Sequence, residues 1–320
     1  MRLTFLGTGA GKPTRERNVS ALGLELDQQN CWYLFDCGEA TQHQLQKSPL
    51  KLSKLSAIFI THLHGDHIFG LPGLLASKKM DQALRPVTIY GPPGIREFVE
   101  TAIRISQMHL GFEIRYVEFA PFDQFRFAQF TLTTIPLIHS IESFAFHIRE
   151  NDISNRLDES RLRTIGLEPS PLYGEIKKGK PVLHNGRYLN PADYMHSPIP
   201  GRKIIIAGDN QKPEILGEYL DNLDLLVHEA TYTQRVYDNL PQKVLHTTAR
   251  DLGMACNRHH VKNLIATHIS ARYNENAKPG EEVLKQEIEK TYLKGKVFIA
   301  NDLDRFYLKR DGILEKTEEK

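Results

Sequence analysis

The sequence predicts an α/β fold in four layers, two packed sheets flanked by helices, with a functional site along the edge the sheets share. Three observations predict it. Short apolar strands alternate with helical stretches in both halves of the chain. Several separate strands deliver a His or an Asp at their C-terminal ends, which is where open α/β sheets gather their chemistry. The chain has 320 residues, 40% hydrophobic and 25% charged, enough for a full core.

Taken in order, Leu3–Leu6 is a strand that enters Gly7-Thr8-Gly9-Ala10-Gly11. No Walker lysine followed by Ser or Thr accompanies these glycines, and no G-x-G-x-x-G opens a helix. Nucleotide binding is therefore the weaker reading, and close backbone approach to a site accounts for them. Lys12, Arg15, Arg17 and Asn18 follow on a loop, either as a solvated rim or as phosphate contacts. Ala21–Leu26 and Cys31–Phe35 read as paired strands around the Asp27-Gln28-Gln29-Asn30 turn, ending in Asp36-Cys37-Gly38-Glu39. Helical composition at Thr41–Lys47 precedes a strand at Ser56–Ile60, a helix at Leu71–Lys79, a strand at Val87–Tyr90 and an amphipathic helix at Ile95–Met108. Strands at Ile114–Phe119, Phe125–Phe127 and Phe130–Pro136 lead to His139, and Phe144–Arg149 is a further strand. Between 150 and 201, Pro169, Pro171, Pro181, Pro191, Pro198 and Pro200 interrupt short polar segments, so this stretch is an insertion and not core. Strands resume at Arg202–Ala207, Leu225–Val227, Leu264–Thr267 and Lys296–Ala300; the first three deliver Asp209, His228-Glu229 and His268.

The densest chemistry follows the Ser56–Ile60 strand. His62 and His64 are two apart on extended chain and point the same way, so they can grip one cation together. Gly65 permits a bend that turns Asp66 and His67 toward a second. With His139, Asp209 and His268 these make seven nitrogen and oxygen ligands, a set that zinc accepts, with manganese or iron also compatible. Seven exceed the need of one tetrahedral ion; two ions roughly 3.5–4 Å apart, bridged by a carboxylate, use them all. Asp209 is the bridging candidate. A metal-bound hydroxide is nucleophilic at neutral pH, because the ion lowers the pKa of its water to about 7.

Composition limits partners and compartment. A net charge of +2 does not announce a nucleic-acid binder, so any basic footprint is local, and Lys177-Lys178-Gly179-Lys180 is the densest basic run. Cys31, Cys37 and Cys256 form no C-x-x-C pair, which argues for a reducing compartment. With no leader-like opening and no apolar run of membrane-span length, a soluble cytoplasmic protein is expected.

The His62-x-His64-x-Asp66-His67 loop with His139, Asp209 and His268 resembles the metallo-β-lactamase superfamily, which implies its αβ/βα four-layer sandwich as a single domain. A narrower resemblance rests on Phe5-Leu6-Gly7-Thr8-Gly9, Pro13-Thr14-Arg15-Glu16-Arg17-Asn18, Phe35-Asp36-Cys37-Gly38-Glu39, Gly70-Leu71-Pro72-Gly73, His228-Glu229-Ala230-Thr231 and His268-Ile269-Ser270-Ala271-Arg272-Tyr273. Together these are similar to the short-form ribonuclease Z family, zinc-dependent endoribonucleases that remove the 3′ trailer of precursor tRNA and leave a 3′-hydroxyl. The resemblance implies one metal held by His62, His64, His139 and Asp209, and another by Asp66, His67, Asp209 and His268. It also implies Asp66 as general base and His246 with Glu229 as the proton-donating pair. Residues 150–200 correspond to a flexible tRNA-binding arm, which makes Lys177, Lys178 and Lys180 candidate RNA contacts beside Arg15, Arg17, Asn18 and Arg272. Two positions depart from the family pattern: Ser170-Pro171 stands where Gly-Pro is typical at the arm tip, and Asn210 follows Asp209 where threonine is usual. A homodimer acting on precursor tRNA, and on neither DNA nor membrane, is the implied assembly. His43, His109, His147, His184, His196, His259 and His260 are expected to be structural or exposed, His228 to be structural or to support the ligands from behind, and Asp36 to orient a ligand histidine.

Overall fold

A computed structural model describes residues 1–27, 29–273 and 280–317, so Gln28 of the expected turn lies outside the described residues. The chain divides into two compact units, one of Met1–Phe127, Thr131–Ile148 and Lys203–Lys320, the other of Ala128–Phe130 with Arg149–Arg202.

In the first unit the chain forms β1 (Arg2–Gly7), β2 (Ala21–Glu25), β3 (Trp32–Phe35), α1 (Thr41–Gln46), β4 (Leu55–Phe59), α2 (Gly65–Ile68), α3 (Leu71–Met80), β5 (Val87–Gly91), α4 (Ile95–Ile105) and β6 (Ile114–Glu118). It continues through β7 (Gln124–Arg126), β8 (Phe130–Pro136) and β9 (Phe144–Glu150) to the second unit, which holds α5 (Glu159–Thr164), α6 (Pro171–Lys177), β10 (Val182–His184) and β11 (Arg187–Leu189). Back in the first unit follow β12 (Lys203–Ala207), β13 (Leu225–Glu229), α7 (Gln234–Asp238), α8 (Ala249–Arg258), β14 (Asn263–Thr267), α9 (Glu282–Thr291), β15 (Lys296–Ile299), β16 (Arg305–Leu308) and β17 (Leu314–Thr317). Among the described residues one large sheet runs β17-β16-β1-β2-β3-β4-β5-β6, a second runs β15-β14-β13-β12-β9-β8-β7, and β10 and β11 form a separate antiparallel pair.

Strand alternation builds the layers. In β3, Trp32 and Leu34 face one way, into a core with Leu45, Leu71, Leu74, Leu75, Ile95 and Val99 of the helices. Tyr33 and Phe35 face the other way and meet aromatic rings of the second sheet: Phe35 lies 5.6 Å from Phe146, and Tyr33 5.9 Å from Phe127. On the far side, Ile205, Leu226, Leu264 and Ala266 pack with Leu252, Ala255, Leu284 and Ile288 of α8 and α9. The order is helix, sheet, sheet, helix, as expected. The two closing helices approach tightly where α8 carries Gly253, since a Cβ there would lie 2.8 Å from the Ile288 carbonyl oxygen. Phe59 is the hub of the aromatic layer, with its ring centroid 4.8–6.3 Å from Tyr33, Phe35, Tyr90, Phe127 and Phe146. Phe59→Ala is expected to lower stability by about 3–5 kcal/mol, the cost of a buried aromatic and the cavity it leaves, measured as a shift of the urea midpoint at unchanged slope.

The insertion is more ordered than its proline content suggests. It encloses its own core of Leu157, Leu162, Leu167, Tyr173, Ile176, Val182 and Leu189. Ser170-Pro171 starts α6, with the proline in the first turn where its missing N–H costs nothing. At the base of this unit the Arg202 guanidinium grips the Glu150 carboxylate with two bonds, Nε to Oε2 at 2.6 Å and Nη2 to Oε1 at 2.7 Å, both side chains buried. The α4 helix ends at Ile105, three residues short of expectation, because Gln107 turns left-handed at φ 52°.

Candidate metal centre

Six strand ends supply the site. β3 delivers Asp36, β4 delivers Thr61, His62 and His64, β8 delivers His139, β12 delivers Asp209, β13 delivers Glu229, and β14 delivers His268. Short α2 adds Asp66 and His67. All seven expected ligands converge. His62, His64, His139 and Asp209 make one group able to hold a metal ion, and Asp66, His67 and His268 make another, with ligand atoms in each group within 4.8 Å of one another.

Asp209 spans both groups. Its Oδ2 lies 3.8 Å from His62 Nε2 and 3.7 Å from His139 Nε2, while its Oδ1 lies 3.5 Å from His67 Nε2 and 3.3 Å from His268 Nε2. Asp66 Oδ2 closes the second group at 3.4 Å from both His67 Nε2 and His268 Nε2.

Two observations show that this donor set fits a cation. First, His64 Nδ1 faces His62 Nε2 at 3.1 Å and His139 Nε2 at 3.2 Å. An imidazole nitrogen carries either one proton or one lone pair, so at most one of these two contacts is a good hydrogen bond, whereas a cation satisfies all three nitrogens. Second, His67 Nε2 is buried without a hydrogen-bond partner, a cost that a metal ligand does not incur. Burial, with the neighbouring histidines, holds His62 well below its ordinary pKa, so it is neutral with a lone pair to give. Burial opposes ionisation of Asp66, yet the His268 and His67 imidazoles beside it outweigh this and hold the carboxyl well below the usual range.

The surrounding bonds fix which ring nitrogen points inward. His67 Nδ1 bonds to Asp36 Oδ2 at 2.7 Å, the orienting role expected of Asp36, and His139 Nδ1 donates to the Leu245 carbonyl at 2.9 Å. The Thr61 hydroxyl donates to Asp36 Oδ2 at 2.9 Å and lies 3.0 Å from His62 Nδ1. The glycine loop closes on the site as expected: the Gly11 amide donates to Asp66 Oδ2 at 2.8 Å.

Beside the metal cluster, His246 Nδ1 meets Glu229 Oε1 at 3.1 Å and Oε2 at 3.0 Å. Burial disfavours a charged His246, but the Glu229 carboxylate more than offsets this and pushes its pKa up to about 9. His246 sits just ahead of α8, whose N-cap is Thr248, and it lines the same cleft as His64, Asp66, His139, Asp209 and His268. Asn210 ties the walls together. Its amide N donates to Glu229 Oε1 at 2.7 Å, its Oδ1 accepts from the Ile138 amide at 3.2 Å, and its side-chain nitrogen meets His228 Nε2 at 3.0 Å. His228 is fully buried.

One expected RNA contact is corrected. Arg17 is only 4% exposed; its guanidinium bonds to Thr8 Oγ1, the Ala300 carbonyl, Asn301 Oδ1 at 2.7 Å and Glu281, so it anchors the loop instead of meeting solvent. Asn18 also serves the loop, its side-chain nitrogen donating to the Glu39 carbonyl at 2.7 Å. Arg15, Arg272, Lys177, Lys178 and Lys180 are exposed, though Lys178 and Lys180 both pair with Glu175. The remaining histidines stay outside the cluster: His147 packs on Tyr219, and His259 pairs with Asp221 at 2.7 Å. Thr61, Thr231 and the Leu245 carbonyl were given no role by sequence reasoning, because a threonine or a backbone group carries no metal-ligand signature.

Comparison with known proteins agrees with this geometry. A family model described as Anti-Pycsar protein Apyc1 matches residues 1–154. The chain is 40% identical over 317 residues to a protein named Ribonuclease Z from Pseudomonas putida (strain GB-1), covering 98% of this chain and 99% of that one. It is 45% identical over 279 residues to Ribonuclease Z of Listeria monocytogenes serotype 4a (strain HCC23), covering 87% and 91%. Among solved structures it is similar to the short form of human tRNase Z, with TM-score 0.67, 29% identity and coverage of 95% and 98%. The metallo-β-lactamase fold protein YhfI from Bacillus subtilis shares the fold at TM-score 0.63 and 18% identity, over 95% of this chain and 98% of that one. The chain belongs to the ribonuclease Z family, on the metallo-β-lactamase fold.

Proposed function

We propose that this chain is a dinuclear zinc endoribonuclease that cuts precursor tRNA after the discriminator base and removes the 3′ trailer. The observation that carries the reading is His246, fixed by Glu229 on the wall of the same cleft as the metal-binding cluster, because RNA cleavage that leaves a 3′-hydroxyl needs a proton for the departing ribose oxygen. His62, His64, His139 and Asp209 would hold one ion, and Asp66, His67, Asp209 and His268 the other. Zinc, or manganese in its place, supplies positive charge against the phosphate oxygens and makes water acidic enough to attack near neutral pH.

The protein's own groups do the rest. Asp66, held by the Gly11 amide, orients the attacking water and accepts its proton. Glu229 holds the Nδ1 side of His246, so the proton that leaves does so from Nε2, toward the departing 3′-oxygen. The insertion of 149–202 acts as a tRNA-binding arm through Lys177, Lys178 and Lys180, and the exposed Arg15 and Arg272 of the other unit add phosphate contacts. The same reading extends to a cytoplasmic homodimer in which one subunit's arm serves the other's site.

Incubation of the purified protein with zinc or manganese and a labelled, trailer-bearing precursor tRNA should yield mature-length tRNA with a 3′-hydroxyl. Absence of that product beside turnover of a small phosphodiester would replace this reading with that of a small-molecule phosphodiesterase. Absence of both would leave an RNA-binding scaffold. The triple substitution Lys177→Ala, Lys178→Ala, Lys180→Ala is expected to raise KM for precursor tRNA by roughly tenfold near physiological salt and to flatten its salt dependence, since phosphate contacts release counterions. Turnover of bis(p-nitrophenyl) phosphate should be unchanged.

A further inference from the structure

The carboxylate that fixes His246 is also wired to a histidine of the metal-binding cluster, through one hydroxyl. Thr231 Oγ1 lies 2.5 Å from Glu229 Oε2, 3.1 Å from His268 Nδ1 and 3.0 Å from the His268 carbonyl oxygen, all buried. A hydroxyl has one proton to donate and two lone pairs. The carboxylate oxygen is both the nearer and the charged acceptor, so it takes the proton over the carbonyl. The oxygen of Thr231 then faces His268 Nδ1 with a lone pair, which requires the Nδ1–H tautomer and leaves the Nε2 lone pair of His268 aimed at Asp66 and Asp209, 3.4 and 3.3 Å away. His268 has left-handed backbone at φ 55°, a conformation a non-glycine residue keeps only when its surroundings enforce it.

The same arrangement occurs in the other half of the fold. Asp36 bonds directly to His67 Nδ1, and through the Thr61 hydroxyl it reaches His62 Nδ1. Asp36 is itself left-handed at φ 56°.

We propose that Thr231 is a positioning residue that couples Glu229 to His268, so that one buried carboxylate sets the orientation of both the proton-donating histidine and a metal-holding one. Thr231 touches no reacting atom; it acts by fixing the His268 ring and its tautomer. The inference rests on the metal-site reading above, and its test includes a measurement independent of RNA cleavage.

Thr231→Val keeps the shape and removes the hydroxyl, while Thr231→Ser keeps the hydroxyl. In the zinc-loaded enzyme, Thr231→Val is expected to weaken zinc retention against a competing chelator by about 10–100-fold and to lower kcat on precursor tRNA over the same range, with KM within about twofold, as for other partners of metal-ligating histidines. Thr231→Ser should restore most of both. In protein labelled with ¹⁵N-histidine, long-range ¹H–¹⁵N spectra should place the His268 proton on Nδ1 in wild type and Thr231→Ser, and lose that signal in Thr231→Val. The proposal is overturned if Thr231→Val keeps the Nδ1–H signal and wild-type zinc retention, or if Thr231→Ser is as impaired as Thr231→Val, which would assign the role to the methyl group. Should wild-type protein hold zinc without cutting tRNA, the proposed function fails while the retention and tautomer measurements still decide the role of Thr231.

Discussion

Asp209→Ala is expected to strip the protein of metal and of nuclease activity together. Asp209 is the only carboxylate whose two oxygens face histidine nitrogens of both groups, at 3.3–3.8 Å, among the described residues. Its loss removes a ligand from each group and leaves crowded histidines with nothing to balance a bound cation. Zinc content after dialysis should fall from about two per chain to less than one, with activity down by more than about a thousandfold, given that even partners of a ligand cost 10–100-fold. Retention of both ions by the variant would show that Asp209 does not bridge.

His246→Ala should separate chemistry from metal binding. Its Nδ1 is engaged by Glu229, and its ring lies 5.2 Å from that of His139 and 5.4 Å from that of His268, so it stands outside both four-ligand sets although its ligand atom also comes within 4.8 Å of those of Asp209 and His268. Full zinc content with a kcat loss of about 10²–10⁴-fold on precursor tRNA is the expected outcome, the usual range for a general acid. Because nitrophenolate departs without a proton, hydrolysis of bis(p-nitrophenyl) phosphate should fall far less. Equal losses on both substrates would mean that His246 does not protonate the leaving group, and loss of zinc would make it a ligand. His246 does approach Asp209 at 3.8 Å, so the zinc measurement is the decisive one.

Legibility in the sequence followed the strength of each local signal. The strand-end histidines and aspartates were readable because buried strands are apolar runs and a His or Asp just past one stands out. β16 and β17 carry no such signal: Arg305-Phe306-Tyr307-Leu308 and Leu314-Glu315-Lys316-Thr317 are short and partly polar, and they are strands because β1 accepts β16 at the sheet edge and β16 in turn accepts β17. α8 was obscured by Gly253, whose lack of a side chain serves helix contact at the expense of helix propensity. The basic loop misled at Arg17 for a different reason. An arginine on a polar loop reads as a surface charge, and only the fold shows Thr8, Ala300 and Asn301 closing around it. The threonines beside Asp36 and Glu229 were hidden in the same way, since their importance lies in which two groups they join.

The closing of the second metal group by Asp66 and His268 has a consequence for biosynthesis. These residues meet across 202 positions of sequence, and His268 lies just past β14, next to last in its sheet. During translation the loop from His62 to His67 leaves the ribosome long before β14 exists, so an unfinished chain can gather some ligands but cannot complete both groups. Cleavage competence thus arrives only once the far end of the second sheet has docked, and a truncated or stalled product of this gene is disarmed by its topology.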